Sequence, residues 1–461
     1  MKRVTGTHVY TYAKCAHAVA LDLHQPRSER RPATEAEAFS LARGIAHEAQ
    51  FVAGLRWPAP QYDDHDHVAG AALTQRWMRE GVAGIHQGVL LAEGRLGIPD
   101  LLRREPGASA LGDHHYVVGD VKSSGRARGD QILQIAFYSR LLGELQGRAP
   151  SYAYLVLKDG REERFALDEF AEAIVEVETN IARIAADPAA EPSSARPYWS
   201  SHCRSCHWSV RCSTVLHESD DLSLLPNMTR GLREALEAAG VTRASAAAEL
   251  PIDRLAEHGH LEAPMLRRLQ RAGLARREGR ALPEPRPNAA VVGDAAIVHF
   301  LHDPFAERVL WMGLLYPAAP GGAVHQAMPA TQANEIEQFV SLIRSVPGSV
   351  PLLHYGEYVP TWFDRASEHR QGSSVLARRF VDLGKRLRSS ASFPGPVFGL
   401  ADLIRFGLGL DPTRRGDGAA VAAWAANGRF EQITAKGESD LRDLATLKVR
   451  LLDRTADGSH A

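Results

Sequence analysis

The sequence is poor in cysteine and has no long apolar segment. Only four of its 461 residues are cysteine, which is too few for the dense disulfide frameworks of small secreted domains. No apolar run approaches the roughly 20 residues that a helix needs to cross a bilayer. The first residues also lack the apolar core of a secretory signal. We therefore expect a cytoplasmic protein with no membrane partner.

The sequence also has almost no net charge, since 54 lysines and arginines face 55 aspartates and glutamates, which leaves −1. A protein without overall positive charge binds nucleic acid only through local basic patches. Candidate patches are Arg103-Arg104, Arg126-Ala-Arg128 and the arginine-rich segment 267–280. Taken singly, each of these patches is more typical of a solvated helix or loop face.

The length of the chain predicts more than one domain. A single hydrophobic core rarely extends over 461 residues, so two or three domains are expected. Hydrophobic residues make up 44% of the sequence and charged residues 24%, which is ordinary for a globular protein. The composition therefore leaves the function to be found in local motifs.

The strongest chemical signal lies between residues 97 and 142. A strand is expected over 116–122, and because side chains alternate along a strand, Asp120 and Lys122 share one face. Asp100 follows Pro99, whose ring fixes the backbone just before it. A loop through residues 106–109 is expected to lead to the Asp120 strand. If the two strands are neighbours, both carboxylates meet at one point beside the ammonium.

Such a trio suits the hydrolysis of a phosphodiester. Two carboxylates hold Mg²⁺ or Mn²⁺ and leave positions open for a water and a phosphate oxygen. The metal makes hydroxide available near neutral pH and stabilises the charge that develops on phosphorus. Lys122 would orient the water or neutralise the phosphate oxygens. On its own, however, Asp-x-Lys on a strand is more often a solvated face.

Two predicted helices flank this trio. In a helix over 131–142, Gln131, Gln134 and Tyr138 recur at helical spacing and share one face. An earlier helix over 36–55 carries His47. A lone histidine on a helix is more often a partly buried side chain than a metal ligand.

Taken together, these motifs resemble the RecB-like branch of the PD-(D/E)xK nuclease superfamily. The matching residues are Arg43-Gly44-Ile-Ala-His47-Glu48, Pro99-Asp100, Asp120-Val121-Lys122 and Gln134-x₃-Tyr138. The resemblance implies an α/β restriction-endonuclease-like core and a metal-dependent nuclease.

The same resemblance implies a role for each site residue. The metal would be held by His47, Asp100, Asp120 and the carbonyl of Val121. Lys122 would position the nucleophile, while Gln134 and Tyr138 orient the lysine or the DNA. The substrate would be DNA, single-stranded or with a free end, in repair, recombination or defence, and a helicase is a candidate partner. The alternative is a DNA-binding or scaffolding protein that keeps the fold without catalysis.

Three of the four cysteines lie within ten residues, as Cys203, Cys206 and Cys212. Thiolates at this spacing can converge on one soft metal centre, and Cys15 would be the fourth ligand. One cysteine before the nuclease core and three after it resemble the iron–sulfur nucleases of the RecB type, including AddB and the CRISPR-associated enzymes. The resemblance implies a [4Fe–4S] cluster that staples the chain. A structural Zn²⁺ site, in which a histidine at 202, 207 or 217 replaces a cysteine, is the alternative.

Beyond the nuclease domain, expected over residues 1–216, two further parts are predicted. Residues 217–287 look like a helical linker with a faint helix-hairpin-helix resemblance. Residues 288–461 show a second α/β pattern, which resembles the RNase H-like exonuclease domain that follows the nuclease in a group of RecB-like nucleases. That chemistry needs an Asp-x-Glu pair on the first strand to hold two metals. His299 and Leu301 occupy those positions, so this domain is expected to be catalytically inactive.

Overall fold

The structure is a computed structural model that describes residues 3–63, 65–187, 196–256, 261–284, 294–329, 331–367, 373–411 and 418–453. It has two compact units. Unit 1 comprises Met1–Ala33, Ser40–Tyr198 and His202–Cys212, and unit 2 comprises Thr34–Phe39, Trp199–Ser201 and Ser213–Ala461. The predicted boundary between residues 287 and 288 lies outside the described residues. No helix in the described ranges has the length and apolar content that crossing a membrane requires.

Unit 1 is a mixed α/β structure, as predicted. Its elements follow in chain order: β1 (Val4–Thr5), α1 (Gly6–Tyr12), α2 (Ala16–His24), α3 (Glu35–Ala53, whose first turn belongs to unit 2), α4 (His67–Glu80), β2 (Gly84–His86), β3 (Leu90–Ala92), β4 (Arg95–Gly97), β5 (Leu101–Ser109), β6 (Gly112–Val121), α5 (Gly129–Gln146), β7 (Tyr152–Val156), β8 (Glu162–Ala166), α6 (Ala171–Ala186) and α7 (Ser209–Glu218, which continues into unit 2).

The central sheet of unit 1 has the strand order β2-β5-β6-β7-β8. Strands β6 and β7 run parallel, and the other neighbours are antiparallel. A three-stranded sheet of β1, β4 and β3 lies apart from it. The central strand β6 contains the apolar run Tyr116-Val-Val, which is buried on both faces of the sheet, as expected for a strand covered on both sides.

Both faces of the central sheet are packed. One face supports the larger apolar cluster of unit 1, which includes Phe137 and Leu141 of α5. The other face carries a smaller cluster that includes Val121 and Tyr154, against which Phe51 and Val52 at the end of α3 pack. This packing fixes α3 and α5 relative to the end of β6, where the predicted catalytic residues lie.

One local expectation differs from the structure. Residues 106–109 belong to β5 rather than to a loop, and a bulge between Pro106 and Ser109 accommodates the proline and Gly107, whose φ is +127°. A proline is tolerated in a strand where the ladder is interrupted. The turn of this hairpin is therefore shorter and comes later than predicted.

Unit 2 contains the remaining elements. They are α8 (Arg230–Ala238), α9 (Ile252–Ala256), α10 (Ala263–Glu278), β9 (Leu282–Pro283), β10 (Ala296–Asp303), β11 (Arg308–Tyr316), β12 (Ala323–Ala327), α11 (Glu335–Ile343), β13 (Leu352–His354), α12 (Tyr358–Ala366), α13 (Ser373–Ala377), β14 (Phe380–Asp382), α14 (Leu383–Ser389), β15 (Ala391–Ser392), α15 (Leu400–Leu408), α16 (Gly418–Ala426) and α17 (Phe430–Leu451).

The main sheet of unit 2 has the strand order β12-β11-β10-β13-β14. The first three strands form an antiparallel meander, and β13 and β14 run parallel to β10. Apolar clusters cover both faces, and α17 supplies Leu441 and Leu444 to one of them. The helices α8, α9 and α10 of this unit have a separate small core.

Candidate active site

Asp100 and Asp120 are held side by side by hydrogen bonds that cross between their strands. Asp100 directly precedes β5, and Asp120 lies near the end of the antiparallel neighbour β6. The backbone N–H of Val121 donates to Asp100 Oδ2 at 2.7 Å, and the N–H of Asp100 donates to Asp120 Oδ1 at 3.3 Å. Each carboxylate therefore accepts a hydrogen bond from the backbone of the other strand, which fixes the pair.

Lys122 completes this group. Its backbone N–H donates to the carbonyl of Val156 on β7 at 2.8 Å, and its ammonium forms an ion pair with Asp120 Oδ2. Burial opposes the charge on the ammonium, but Asp120 and Asp100 outweigh it and raise the pKa of Lys122 above its usual value. Lys122 is therefore a charged group pointed at the carboxylate pair.

The carboxylate pair has more negative charge than its surroundings neutralise. Burial raises the pKa of Asp100 well above its usual value, and the neighbouring charge of Asp120 raises it further. Lys122 acts in the opposite direction without cancelling these effects. Apart from its ion pair with Lys122, Asp120 Oδ2 is a buried oxygen with no hydrogen-bond donor. Such a pair suits a hard divalent cation, which would supply the missing positive charge.

The side chain of Val121 packs into the apolar cluster on the far face of the sheet. Any contribution from this residue to a metal site is therefore limited to its backbone carbonyl.

The structure does not bring His47 into contact with the carboxylates. His47 lies on α3, and no hydrogen bond or ion pair joins it to Asp100 or Asp120 among the described residues. Its Nε2 is nevertheless a buried nitrogen without a hydrogen-bond partner there, which leaves a lone pair or an N–H unsatisfied inside the protein. The predicted ligand is thus present on the expected helix but not in a direct contact with the acids.

Glu48, the next residue of α3, is the group that sequence reasoning missed. Its Oε1 accepts hydrogen bonds from His86 Nε2 and from Gln87 Nε2, each at 3.0 Å. Its charge also reaches Asp100, whose pKa it raises. Gln87 also connects Glu48 to Asp100, because its backbone N–H donates to the carbonyl of Asp100 at 2.9 Å. The only signal in the sequence was a carboxylate adjacent to His47.

Gln134 and Tyr138 form a hydrogen-bonded pair on α5. Gln134 Nε2 donates to the phenol oxygen of Tyr138 at 3.2 Å. Burial raises the pKa of Tyr138, and the charges of Asp120 and Asp100 raise it further. The phenol is therefore neutral and lies close to the carboxylates. Gln131, by contrast, caps α5 by accepting from the backbone N–H of Arg128 at 3.1 Å.

Two glycines make room for the ring of Tyr138. A Cβ on Gly6 of α1 would lie 2.2 Å from this ring, and a Cβ on Gly97 of β4 would lie 2.7 Å from it. Neither distance is possible for real atoms without a shift of the backbone or the ring. The tyrosine is thus positioned by close backbone approach from two sides.

The four cysteines are neighbours within unit 1. Cys15, Cys206 and Cys212 pack against the buried side chains of Ala18, Leu21 and Trp208, and none of the four cysteines forms a disulfide. Burial raises the pKa of Cys212 to about 12, and the thiols of Cys15, Cys206 and Cys203 contribute to this rise. The backbone N–H of Trp208 donates to Cys206 Sγ at 3.4 Å.

A hydrogen-bond hub supports this cysteine group. Asp22 Oδ1 accepts from His207 Nε2 at 2.7 Å and from Trp208 Nε1 at 2.8 Å. It also accepts from Arg30 Nη2 at 2.6 Å. His207 pairs with Asp22 through Nε2, so Nδ1 is the ring nitrogen that could act as a metal ligand. His217, the most distant alternative ligand, belongs to unit 2.

Neither the acidic residues nor the cysteines are arranged as a complete metal site. In the described ranges, no group of three or more His, Cys, Asp or Glu side chains is placed to hold a metal ion. The acids provide two converged ligands, and Glu48 of α3 lies within electrostatic reach of Asp100. The thiols are close enough to affect each other's pKa, which shows their proximity but not a ligand geometry. The carboxylate pair and the cysteine group therefore each bring together side chains that can act as metal ligands.

Part of the chain is similar to a family of known proteins. Residues 13–213 match the family model of the PD-(D/E)XK nuclease superfamily, and no curated protein matches the chain. The matched span contains the carboxylate pair, Lys122 and all four cysteines. The predicted α/β fold of the restriction-endonuclease-like type is confirmed. Residues 13–213 are therefore similar to the PD-(D/E)XK nuclease superfamily, and this similarity suggests a metal-dependent nuclease that acts on nucleic acid.

Proposed function

We propose that the protein is a Mg²⁺- or Mn²⁺-dependent DNA nuclease of the RecB type, which acts on single strands or free ends in repair, recombination or defence. The observation that carries the proposal is the interlocked pair of Asp100 and Asp120 with the ammonium of Lys122 beside it. Two buried carboxylates with too little neutralising charge destabilise the fold when no cation is bound, and they form a good binding site for one.

Asp100 and Asp120 would hold the metal, together with His47 and the carbonyl of Val121. The unsatisfied Nε2 of His47 supports its inclusion, and Glu48 is a further carboxylate within electrostatic reach. When bound, the metal supplies a nucleophilic hydroxide near neutral pH and stabilises negative charge on phosphorus.

The remaining residues would position the substrate and the nucleophile. The charged ammonium of Lys122 can donate hydrogen bonds to the attacking water or to a phosphate oxygen. Because its pKa is raised, the phenol of Tyr138 keeps its proton at neutral pH and can donate it in a hydrogen bond. Gln134 donates to the phenol oxygen, so it orients that O–H group.

For the cysteines we propose a [4Fe–4S] cluster held by Cys15, Cys203, Cys206 and Cys212. Their proximity supports it. A Zn²⁺ site in which His207 replaces a cysteine is the alternative, because a histidine whose Nε2 pairs with a carboxylate can still bind a metal through Nδ1. Protein purified without oxygen is expected to be brown, with iron and acid-labile sulfide in proportion. Colourless protein that contains stoichiometric zinc contradicts the cluster and leaves the nuclease proposal standing.

For the second half of the chain we propose an RNase H-like domain without catalytic activity, which follows a helical linker. An antiparallel meander flanked by two strands parallel to its first strand supports the fold. On that first strand, β10, His299 contacts Asp440 Oδ2 at 3.2 Å, and Lys436 binds the same oxygen at 2.8 Å. Asp440 thus has a cationic side chain as its partner, and no carboxylate stands at position 299 or 301 to hold a metal.

The decisive experiment measures cleavage of labelled single-stranded DNA in Mg²⁺ and in Mn²⁺. Wild type is compared with Asp120→Asn and Lys122→Met, and we expect each variant to lose at least about a hundredfold in rate, as when a transition-state contact is removed. Cleavage by wild type that is no faster than cleavage by the variants would favour a scaffold that only binds DNA. Activity that survives Asp120→Asn but not truncation after residue 287 would assign the chemistry to the RNase H-like half.

A further inference from the structure

Beside Lys122, a group of side chains from α1, the following turn and the start of α5 forms a second charged feature of unit 1. Arg128 Nη2 donates to the phenol oxygen of Tyr10 at 2.8 Å. The ammonium of Lys14 lies 3.5 Å from the centroid of the Tyr10 ring. Tyr10 therefore holds one cation at its oxygen and another over its ring.

Asp130 ties the same two cations together. It pairs with Arg128 at 3.0 Å and with Lys14 at 3.3 Å. Arg128 and Lys14 together lower the pKa of Asp130, although burial opposes them, so the carboxylate stays charged. Two cations against one carboxylate leave one excess positive charge. Arg126, exposed in the same loop, adds another and has no side-chain partner in the described ranges.

This group adjoins the candidate active site. Tyr10 lies close enough to Lys122 to contribute to the rise in its pKa. The loop that carries Arg126 and Arg128 connects β6, which ends beside Lys122, to α5, which carries Tyr138. The side chain of Arg128 remains 47% exposed and that of Lys14 26% exposed, so both are accessible to a ligand that approaches the carboxylate pair.

We propose that Lys14, Arg126 and Arg128 form a phosphate-binding strip that holds the nucleic-acid strand next to the scissile phosphate, with Tyr10 as the positioning residue. The inference rests on the proposed nuclease function and extends it to how the strand is bound. A protein with a net charge of −1 has to concentrate positive charge locally to bind a polyanion. Here it does so at the edge of a carboxylate pair that would otherwise repel phosphate.

The occupant that fits is the sugar–phosphate backbone of a single strand. Guanidinium and ammonium groups are the usual partners of phosphate oxygens. One face of the Tyr10 ring already has Lys14 over it, so the tyrosine organises cations instead of offering that face to a base. The strip therefore contributes affinity for the strand and not recognition of sequence.

The test measures the binding of fluorescein-labelled oligodeoxythymidine to the full chain by anisotropy, in EDTA, over a range of salt concentrations. The variants are Lys14→Met, Arg126→Ala, Arg128→Gln and Tyr10→Phe. Arg76→Gln is the matched control, because Arg76 is 70% exposed and, within the part of the chain that the structure describes, pairs only with Glu80 on its own helix. A thermal melt of each variant reports its folding.

We expect each of the three cation variants to weaken binding by about fivefold and to reduce the slope of log K against log salt by about 0.7, the value for one lost contact with single-stranded phosphate. Tyr10→Phe should weaken binding less, since it removes only the acceptor of Arg128. In turnover, the variants should raise KM and leave kcat unchanged. A group that only fastens α1 to α5 would lower the melting temperature and leave the salt slope as in the control.

Binding and salt slopes equal to those of Arg76→Gln in all three cation variants would overturn the inference. The outcome is separable from that of the nuclease proposal, because binding is measured without metal. Wild type that binds through the strip but never cleaves contradicts the nuclease proposal alone. Wild type that cleaves while the variants bind like the control contradicts the strip alone.

Discussion

At the scale of single residues, the carboxylate pair and its lysine set the properties of the first unit. Asp100 and Asp120 are fixed by backbone N–H groups, so they cannot move apart to relieve their repulsion. The order Pro-Asp, Asp-x-Lys is readable in a sequence because strand alternation and strand pairing together place the residues. Glu48 and Tyr10 were not predictable in this way, because their roles depend on where α3 and α1 pack.

Replacing Asp100 should stabilise the protein in the absence of metal. The pKa of Asp100 is raised in the folded state, so ionisation of this carboxyl costs stability as the pH rises above its usual value of 3.8. Asp100→Asn removes that cost. In EDTA at neutral pH we expect Asp100→Asn to have a higher melting temperature than wild type, by about 2–4 °C for each kcal/mol gained in the free energy of unfolding.

The same thermal melts in the presence of Mn²⁺ test whether Asp100 contributes to metal binding. Wild type should gain stability from the ion, and Asp100→Asn should gain little, because a ligand that binds only the folded state stabilises it. Asp113→Asn, which alters a fully exposed carboxylate of β6, is the control. A stabilisation by Mn²⁺ that is equal in all three proteins would contradict a metal site at Asp100.

His302 gives the second unit a stability that depends on pH. Burial lowers the pKa of His302 to about 4, and its ring stacks on that of Tyr358 with centroids 3.5 Å apart. A histidine whose pKa is lowered on folding contributes stability above its usual pKa of 6.5, which is lost as the pH falls through that value.

Acidification from pH 6.5 to about 4 should therefore cost unit 2 up to about 3 kcal/mol through this residue. Urea unfolding at several pH values, followed by a signal from unit 2, measures the loss. His302→Phe keeps an aromatic ring against Tyr358 but cannot take up a proton, so its unfolding curve should vary less with pH. An identical pH dependence in wild type and variant would show that other groups are responsible.

At the scale of elements, the strands and helices around the site were predictable where one periodicity dominates. The helix predicted over 131–142 is α5, and the strand predicted over 116–122 is β6, since both have long apolar patterns. Residues 85–91 are divided between the end of β2 and the start of β3, which belong to two different sheets. Gln87 lies between them with a φ of +49°, a conformation that no apolar pattern reveals. Short apolar runs alone do not show where a sheet ends.

The contact between α1 and Tyr138 offers a test at this scale. A methyl group on Gly6 would lie 2.2 Å from the tyrosine ring, so Gly6→Ala should displace α1 and cost about 1–3 kcal/mol of stability. The cost should be smaller in the presence of Tyr138→Ala, which empties the space. A double-mutant cycle of denaturant unfolding measures this coupling, and additive effects would show that the ring does not limit α1.

At the scale of the molecule, the two units do not follow each other along the chain. The chain passes between them five times, at 33/34, 39/40, 198/199, 201/202 and 212/213. The domain boundary near residue 216, placed at the end of the cysteine group, stays a prediction. The assignment of residues 34–39 to unit 2 was not predictable, because it depends on Phe39 and Glu35, whose partners Phe305 and Arg429 come hundreds of residues later.

Loss of the Phe305 ring should loosen the first turn of α3. The rings of Phe39 and Phe305 meet edge to face with centroids 5.7 Å apart, a contact worth about 0.5–1.5 kcal/mol. In Phe305→Ala, amide hydrogen exchange over residues 35–39 should therefore be faster than in wild type. Phe398→Ala, which truncates a partly exposed ring of the same unit, should leave the exchange unchanged, and equal rates in the two variants would contradict the prediction.

The late partners of Glu35 and Phe39 also have a consequence for synthesis on the ribosome. All segments of unit 1 have emerged once Cys212 has left the exit tunnel, whereas the residues before Ser40 that belong to unit 2 must wait for Arg429. During that interval α3 has its C-terminal end packed on a finished sheet and its first turn without its final contacts. While the remaining codons are translated, the first turn of α3 is therefore open to proteases and chaperones.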